Sequence, residues 1–272
     1  ENYFTVNADL TVTGKGTIDN TTETGKDAAG KTLFVVKGGD FTLDGVTLIN
    51  DMGSHWHGDK YNSAAIHYEG NANITIKNST VKSGEFTICG MWTPTGTITL
   101  QNSYFESNST NANNGSHWSY AARLRGGKIV IDDCEVKGIQ GGLSIEKCSD
   151  ATINSGKFYT ANSAEDKQDA FYPLYVTDDA VVTINGGEFV GANKWTNLPI
   201  EGTSAVVSGD NDVNKPYGNI IINGGYFSGK AYNHVLNLII EPNGSLEWAA
   251  VEDSSKPEIK WTVKKIYGYG GE

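Results

Sequence analysis

Hydrophobic and polar residues alternate in short bursts along this chain, and the bursts share one template. Val182-Thr183-Ile184-Asn185-Gly186-Gly187-Glu188-Phe189 shows it in full: apolar, any, apolar, polar, two small or turn-forming residues, any, apolar. Ile220 to Phe227 nearly repeats the octet, Ala151 to Phe158 keeps its apolar and small positions, and looser copies begin at Phe41, Ile74, Ile98 and Ile129. Apolar residues two apart require a strand with one buried face, and Asn-Gly-Gly then turns the chain. Glycine takes positive φ at no steric cost, and asparagine tolerates it better than most residues. The unit therefore reads as strand, tight bend, strand.

Octets begin at residues 41, 74, 98, 129, 151, 182 and 220, so the interval varies from 22 to 38 residues around a constant core. A further short strand precedes each octet after the first: Ala65 to Tyr68, Phe86 to Cys89, Ala122 to Arg125, Leu143 to Glu146, Leu174 to Thr177 and Ala205 to Ser208. Leu33 to Val36 does the same for Phe41. Three strands per turn result, and Phe4 to Asn20 reads as an opening turn that caps the stack. Self-similarity of this kind is the signature of a solenoid, whose core grows along one axis and escapes the size limit of a single globular core.

The extra length falls mainly between one octet and the next preceding strand, at residues 50–63, 106–120, 160–172 and 190–203. Stacked in register, these insertions leave along one edge, where solenoids commonly carry a binding face. Two of them repeat a tetrapeptide, Gly53-Ser54-His55-Trp56 and Gly115-Ser116-His117-Trp118. The end of the chain departs from the repeat. Val235 to Ile240 reads as an apolar strand, and Trp248 and Trp261 join the core of a closing cap.

Composition narrows the partners. A formal net charge of −11 argues against nucleic acid, which is held by basic stripes. No run approaches the roughly 18 apolar residues of a membrane span. Three cysteines, Cys89, Cys134 and Cys148, sit at different places in their rungs and offer no disulfide framework.

The octets, the three strands per turn and the edge insertions resemble a right-handed parallel β-helix of the pectate-lyase type. The resemblance implies an all-β solenoid of about eight to nine rungs over residues 1–247, with residues 248–272 as a C-terminal cap or tail. That family holds polysaccharide lyases and hydrolases, phage tailspikes and non-catalytic surface proteins, so fold alone does not choose among them. The Thr-Ile-Asn-Gly-Gly repeats are also similar to those of surface or phage-associated proteins of gut bacteria. An extracellular, cell-surface or virion-surface location is the corresponding expectation.

Alternation assigns faces to the strand before each octet. Leu33, Val35, Ile66, Phe86, Ile88, Leu124, Leu143, Ile145, Leu174 and Val176 are expected inside. Phe34, Val36, Ala65, His67, Thr87, Cys89, Arg123, Arg125, Ser144, Glu146, Tyr175 and Thr177 are then expected to face solvent. Arg125 and Glu146 should be cross-strand neighbours. Beside this strip hang the loops with His55, Trp56, His57, Asp59, Tyr61, His117, Trp118 and Tyr120.

Two chemistries suit that constellation. Flat aromatic faces (Trp56, Trp118, Tyr61, Tyr120, Tyr175) with His and Asp donors and acceptors make a sugar platform, of which Arg123, Arg125 and Glu146 form the neighbouring polar part. Alternatively Arg123, Arg125 and Glu146 clamp a uronate and assist β-elimination, as in a polysaccharide lyase. A surface ion pair between rungs is the structural alternative. His55-Trp56-His57 with Asp59 invites a metal, and Asp132-Asp133, Asp178-Asp179 and Asp210-Asn211-Asp212 invite Ca²⁺, but their positions favour a contact surface and turns. No cofactor is expected. Asn-Thr-Asp and Arg-Ile-Lys motifs of polygalacturonase-like enzymes are absent from the sequence. The leading expectation is a non-catalytic polysaccharide-recognising β-helix, with homo-oligomers as a further expectation. A lyase acting on an acidic glycan and a structural stalk are the alternatives.

Overall fold

A computed structural model of the chain describes residues 3–20, 32–50, 64–108, 120–139, 141–160, 172–191, 203–208 and 216–267. Its described regular structure is all strand, wound into three stacked sheets that form a parallel β-helix. The first sheet contains the strands that precede the octets, Phe34–Val36, Ile66–Tyr68, Ile88–Gly90, Tyr120–Arg125, Gly141–Glu146, Leu174–Thr177 and Thr203–Ser208, with Phe4–Val6 before them and Lys230–Asn233 after. The first half of each octet forms the second sheet and the second half forms the third.

Register follows the octets residue for residue. Phe41, Ile74, Ile98, Ile129, Ala151, Val182 and Ile220 lie in one column of the second sheet, each opposite the last. The final apolar position makes a second column on the third sheet: Leu48, Val81, Phe105, Val136, Phe158, Phe189 and Phe227. The last three are phenylalanines whose rings stack at 5.0 Å, and Trp248 meets the end of the pile edge-on at the same distance. Offset and edge-on contacts are the geometries aromatic quadrupoles favour. Trp248 and Trp261 are partly buried and packed against the core, on the antiparallel hairpin Leu246–Ala250 and Trp261–Lys265 that pairs with Tyr226–Phe227.

The bend inside the octet comes in two forms. In the earlier rungs the fifth residue is left-handed, at Gly45, Asn78, Asn102 and Asp133. In the later rungs the sixth residue takes positive φ instead, and it is glycine each time: Gly156, Gly187 and Gly225. The earlier form keeps a small side chain at the sixth position, where Ser79 and Ser103 are buried and back-bond to the carbonyls of Lys77 and Gln101 at 2.7 Å. The later form carries an amide ladder, Asn154, Asn185, Asn223 and Asn243, linked at 3.0–3.1 Å.

Three expectations change. In the first full rung Phe34 and Val36 belong to the interior cluster and Val35 lies in the column of His67 on the other face. Leu33 to Val36 is apolar throughout, so alternation carried no information there, and the register with Ile66 decides. Phe86 joins an outer cluster rather than the interior one. Val235 to Ile240 supplies only the two-residue strand Leu238–Ile239, antiparallel to Lys230–Asn233, which is the strand that continues the first sheet. All three cysteines are buried and free.

A Cβ at Gly156, whose φ is +130°, would sit 2.3 Å from the Cys134 carbonyl oxygen. Gly156→Ala is therefore expected to lower stability to urea by about 1–3 kcal/mol, the usual range for a strained backbone. Gly16→Ala, where a Cβ meets nothing within 4 Å, should stay within about 0.5 kcal/mol of wild type.

Candidate functional site

The outer face of the first sheet is not a solvated strip. Parallel register stacks His67, Cys89, Arg123, Ser144, Tyr175, Val207 and Tyr232 in one column. Ala64, Phe86, Cys89, Tyr120, Tyr172, Tyr175, Val207 and Tyr232 form a second apolar cluster there, against which Met91 packs. Tyr120 and Tyr175 stack at 5.6 Å, with the Tyr120 ring lying over Gly141. Of the residues expected to face solvent, His67, Thr87, Cys89, Ser144, Glu146 and Thr177 are almost wholly buried, and Phe34, Val36, Ala65, Arg125 and Tyr175 are buried too. Alternation separates two faces of a strand, but it does not say that the second face is wet.

Within this face Arg125 lies directly opposite Glu146, as the sequence led one to expect, and Arg123 lies opposite Ser144. Both guanidinium groups converge on the one carboxylate. Arg123 donates from Nε to Glu146 Oε1 at 2.9 Å and from Nη2 to Oε2 at 3.0 Å. Arg125 donates from Nε to Oε2 at 2.9 Å and makes a second, shorter contact from Nη2. The Ser144 hydroxyl donates to Oε1 at 2.8 Å. Burial works to raise the Glu146 pKa, yet Arg123 and Arg125 outweigh it and hold the carboxyl below its ordinary value. Burial likewise works to lower the Arg123 pKa, and Glu146 reverses that and raises it. The carboxylate is thus ionised and already accepts five donors, which leaves it unsuited to taking a proton from a substrate.

The strand carrying the arginines is fixed from two rungs away. Tyr68 is a buried interior side chain whose hydroxyl donates to the Arg125 carbonyl at 2.7 Å and accepts from the Arg125 amide at 2.8 Å. It reaches across because the intervening residue is Gly90, where a Cβ would lie 2.6 Å from the ring. Burial raises the Tyr68 pKa well above its ordinary value, so the phenol stays protonated as that donor. His67 is buried beside it, with Nε2 3.6 Å from Glu69 Oε2, and is not accessible to a large ligand.

One residue that the sequence reading passed over stands at the rim. Trp92 is 68% exposed and holds a left-handed backbone at φ 63°, which costs a non-glycine residue about 1–2 kcal/mol. Its carbonyl accepts from Arg125 Nη1 at 3.4 Å, and its neighbour Met91 is anchored in the outer cluster. The available signal was the Met91-Trp92 pair in a connection that also holds Pro94 and Gly96. The structure therefore brings together Arg123, Arg125, Glu146 and Ser144 with Trp92, and Tyr120 with Tyr175. His55, Trp56, His57, Asp59, Tyr61, His117 and Trp118 lie outside the described residues. Asp133, Asp178 and Asp179 occupy left-handed turn positions. Among the described residues, no three His, Cys, Asp or Glu side chains gather to share a metal ion, and no helix is long and apolar enough to cross a membrane.

No protein-family model matches the chain, and the comparisons with curated proteins and with solved structures found no match either.

Removing one member of a buried, hydrogen-bonded charge group typically costs about 3–5 kcal/mol, and Glu146→Ala is expected to lose that much in urea unfolding. The pH dependence has a definite sign. A carboxyl held below its ordinary value of 4.5 contributes stability that is complete above 4.5 and is lost as pH falls through the lower folded value. The stability difference between wild type and Glu146→Gln should therefore be largest near neutrality and shrink as the solution is acidified below 4.5.

Proposed function

We propose that this β-helix recognises a polysaccharide across the outer face of its first sheet and binds it without cleaving it. The observation that carries the reading is Trp92: an exposed indole on a left-handed backbone, its carbonyl held by the same Arg125 that is locked to Glu146. Strained, exposed residues fixed by buried charge are where function concentrates, because the fold has no other use for them. An aromatic surface bordered by fixed polar groups is the complement of a sugar ring, which has apolar faces and a hydroxylated rim.

Along the chain, the segments with His55 and Trp56 and with His117 and Trp118 precede strands of the first sheet, and Trp92 follows the strand Ile88–Gly90. Such a protein belongs at an extracellular, cell or virion surface, where polysaccharide is met. Against a lyase reading stands the commitment of Glu146 to five donors, which supports a holding role for the arginines. The binding reading needs no cofactor.

The test is retention on immobilised acidic and neutral polysaccharides together with absorbance of unsaturated uronate products. Retention without product is expected, and Trp92→Ala should weaken it about tenfold or more, as for an aromatic anchor at an interface centre. Product formation would instead establish a lyase. Retention on none of the polymers would leave the structural stalk.

A further inference from the structure

The third sheet carries a second candidate surface, on a flank the first-sheet reading does not use. A groove of about 640 Å³ runs along the bends between the second and third sheets, from Asn78 to Glu188. That volume lies within the roughly 300–1,000 Å³ of small-ligand sites. The groove follows from the two forms of bend. Where the fifth residue is left-handed, Asn102 and Asp133 stand up as side chains. Where the sixth is glycine, as at Gly156, the groove is lined there without a side chain.

Some polar groups in the groove are held by neighbours, and others keep bonding capacity to spare. Asn102 donates to Asn78 Oδ1 at 2.9 Å, and its own oxygen accepts nothing among the described residues. Glu135 is held by the Tyr159 hydroxyl at 2.6 Å, and Glu188 is paired with Lys256. Lys157 stands in register between these two carboxylates, yet among the described residues its ammonium has no carboxylate within 4 Å and lies 5.1 Å from the Tyr159 ring centroid. In the adjacent column, by contrast, Glu106 bridges Lys82 at 2.9 Å and Lys137 at 2.8 Å and closes on itself. The Tyr104 ring supplies the apolar wall.

We infer that this groove binds an extended neutral oligosaccharide. Amide, hydroxyl, carboxylate and ammonium groups beside an aromatic ring are the partners that sugar hydroxyls and ring faces use. With Glu188 matched by Lys256, Asp133 and Glu135 still outweigh Lys157 and make the site negative, which turns away uronates. The groove crosses rungs about 4.8 Å apart, close to the length of one pyranose in an extended β-1,4 chain, so successive sugars meet successive rungs. This site does not depend on the Trp92 reading.

The experiment titrates cellohexaose, β-1,4-mannohexaose, xylohexaose and hexagalacturonate calorimetrically into the 272-residue chain carrying Trp92→Ala, which removes the first-sheet platform. At least one neutral hexasaccharide should bind, and Tyr104→Ala should weaken it about tenfold. Lys157→Ala, at an exposed position that leaves the fold intact, should weaken it about threefold or more and keeps the test valid if Tyr104→Ala unfolds. No binding of any neutral probe would overturn the inference, as would binding that neither substitution changes. Preferential binding of hexagalacturonate, lost with Lys157→Ala, would overturn its neutral character.

Discussion

Parallel strands stacked in register place like over like, so a residue that fits in one rung must also fit against its copies above and below. The whole molecule depends on that alignment. It explains why the apolar columns of the octets tolerate Ile, Leu, Val and Phe but not a polar side chain, and why the bends use so few residue types. A bend must return the third strand to the same column each time. Asn, Asp and Gly at the fifth position, or Gly at the sixth, are the residues whose backbones turn that sharply at little cost. Each contact is local along the axis, so stability accumulates by neighbouring pairs of rungs.

The same rule governs charge. Stacking puts side chains about 4.8 Å from their neighbours, close enough that an unmatched column of like charge would repel itself. The buried part of the first sheet answers with two arginines around Glu146, and the half-buried outer side of the third sheet with Lys82, Glu106 and Lys137. These two arrangements differ in worth. The half-buried lysine ladder is still reached by solvent and contributes less, whereas the buried group is costly to break because both guanidinium groups would be left without their carboxylate. Tyr68, passing over Gly90, ties the interior to the backbone of that buried group, so core packing and the outer face are one mechanical unit.

The scaffold was legible in the sequence because each octet carries its own period of two and its own turn residues, and the octet starts coincide with the observed register. The first sheet was legible only in part. The alternation of Leu143 to Glu146 marks its inner face, but Leu33 to Val36 is apolar at every position and gives no face at all. That the second face is also buried could not be read from any one strand, since Tyr120, Tyr175 and Tyr232 come from different rungs and form a cluster only after stacking. The Arg125 and Glu146 pairing was visible as a register expectation, while the convergence of Arg123 and Ser144 on the same carboxylate is a matter of side-chain reach. Trp92 escaped notice because it lies in a short connection with no repeat to compare it with.

The interstrand hydrogen bonds of all three sheets run along the axis of the solenoid. A force applied end to end therefore falls on one rung interface through three ladders together, and that interface must part as a whole before the next one yields. Each added rung lengthens the rod by about 4.8 Å without weakening it, because every interface bears the same load. At one end the antiparallel hairpin of Leu246–Ala250 and Trp261–Lys265 grips the last of these interfaces on the third sheet. The reach of the rod is set by the number of rungs, and its strength by any one of the interfaces between them.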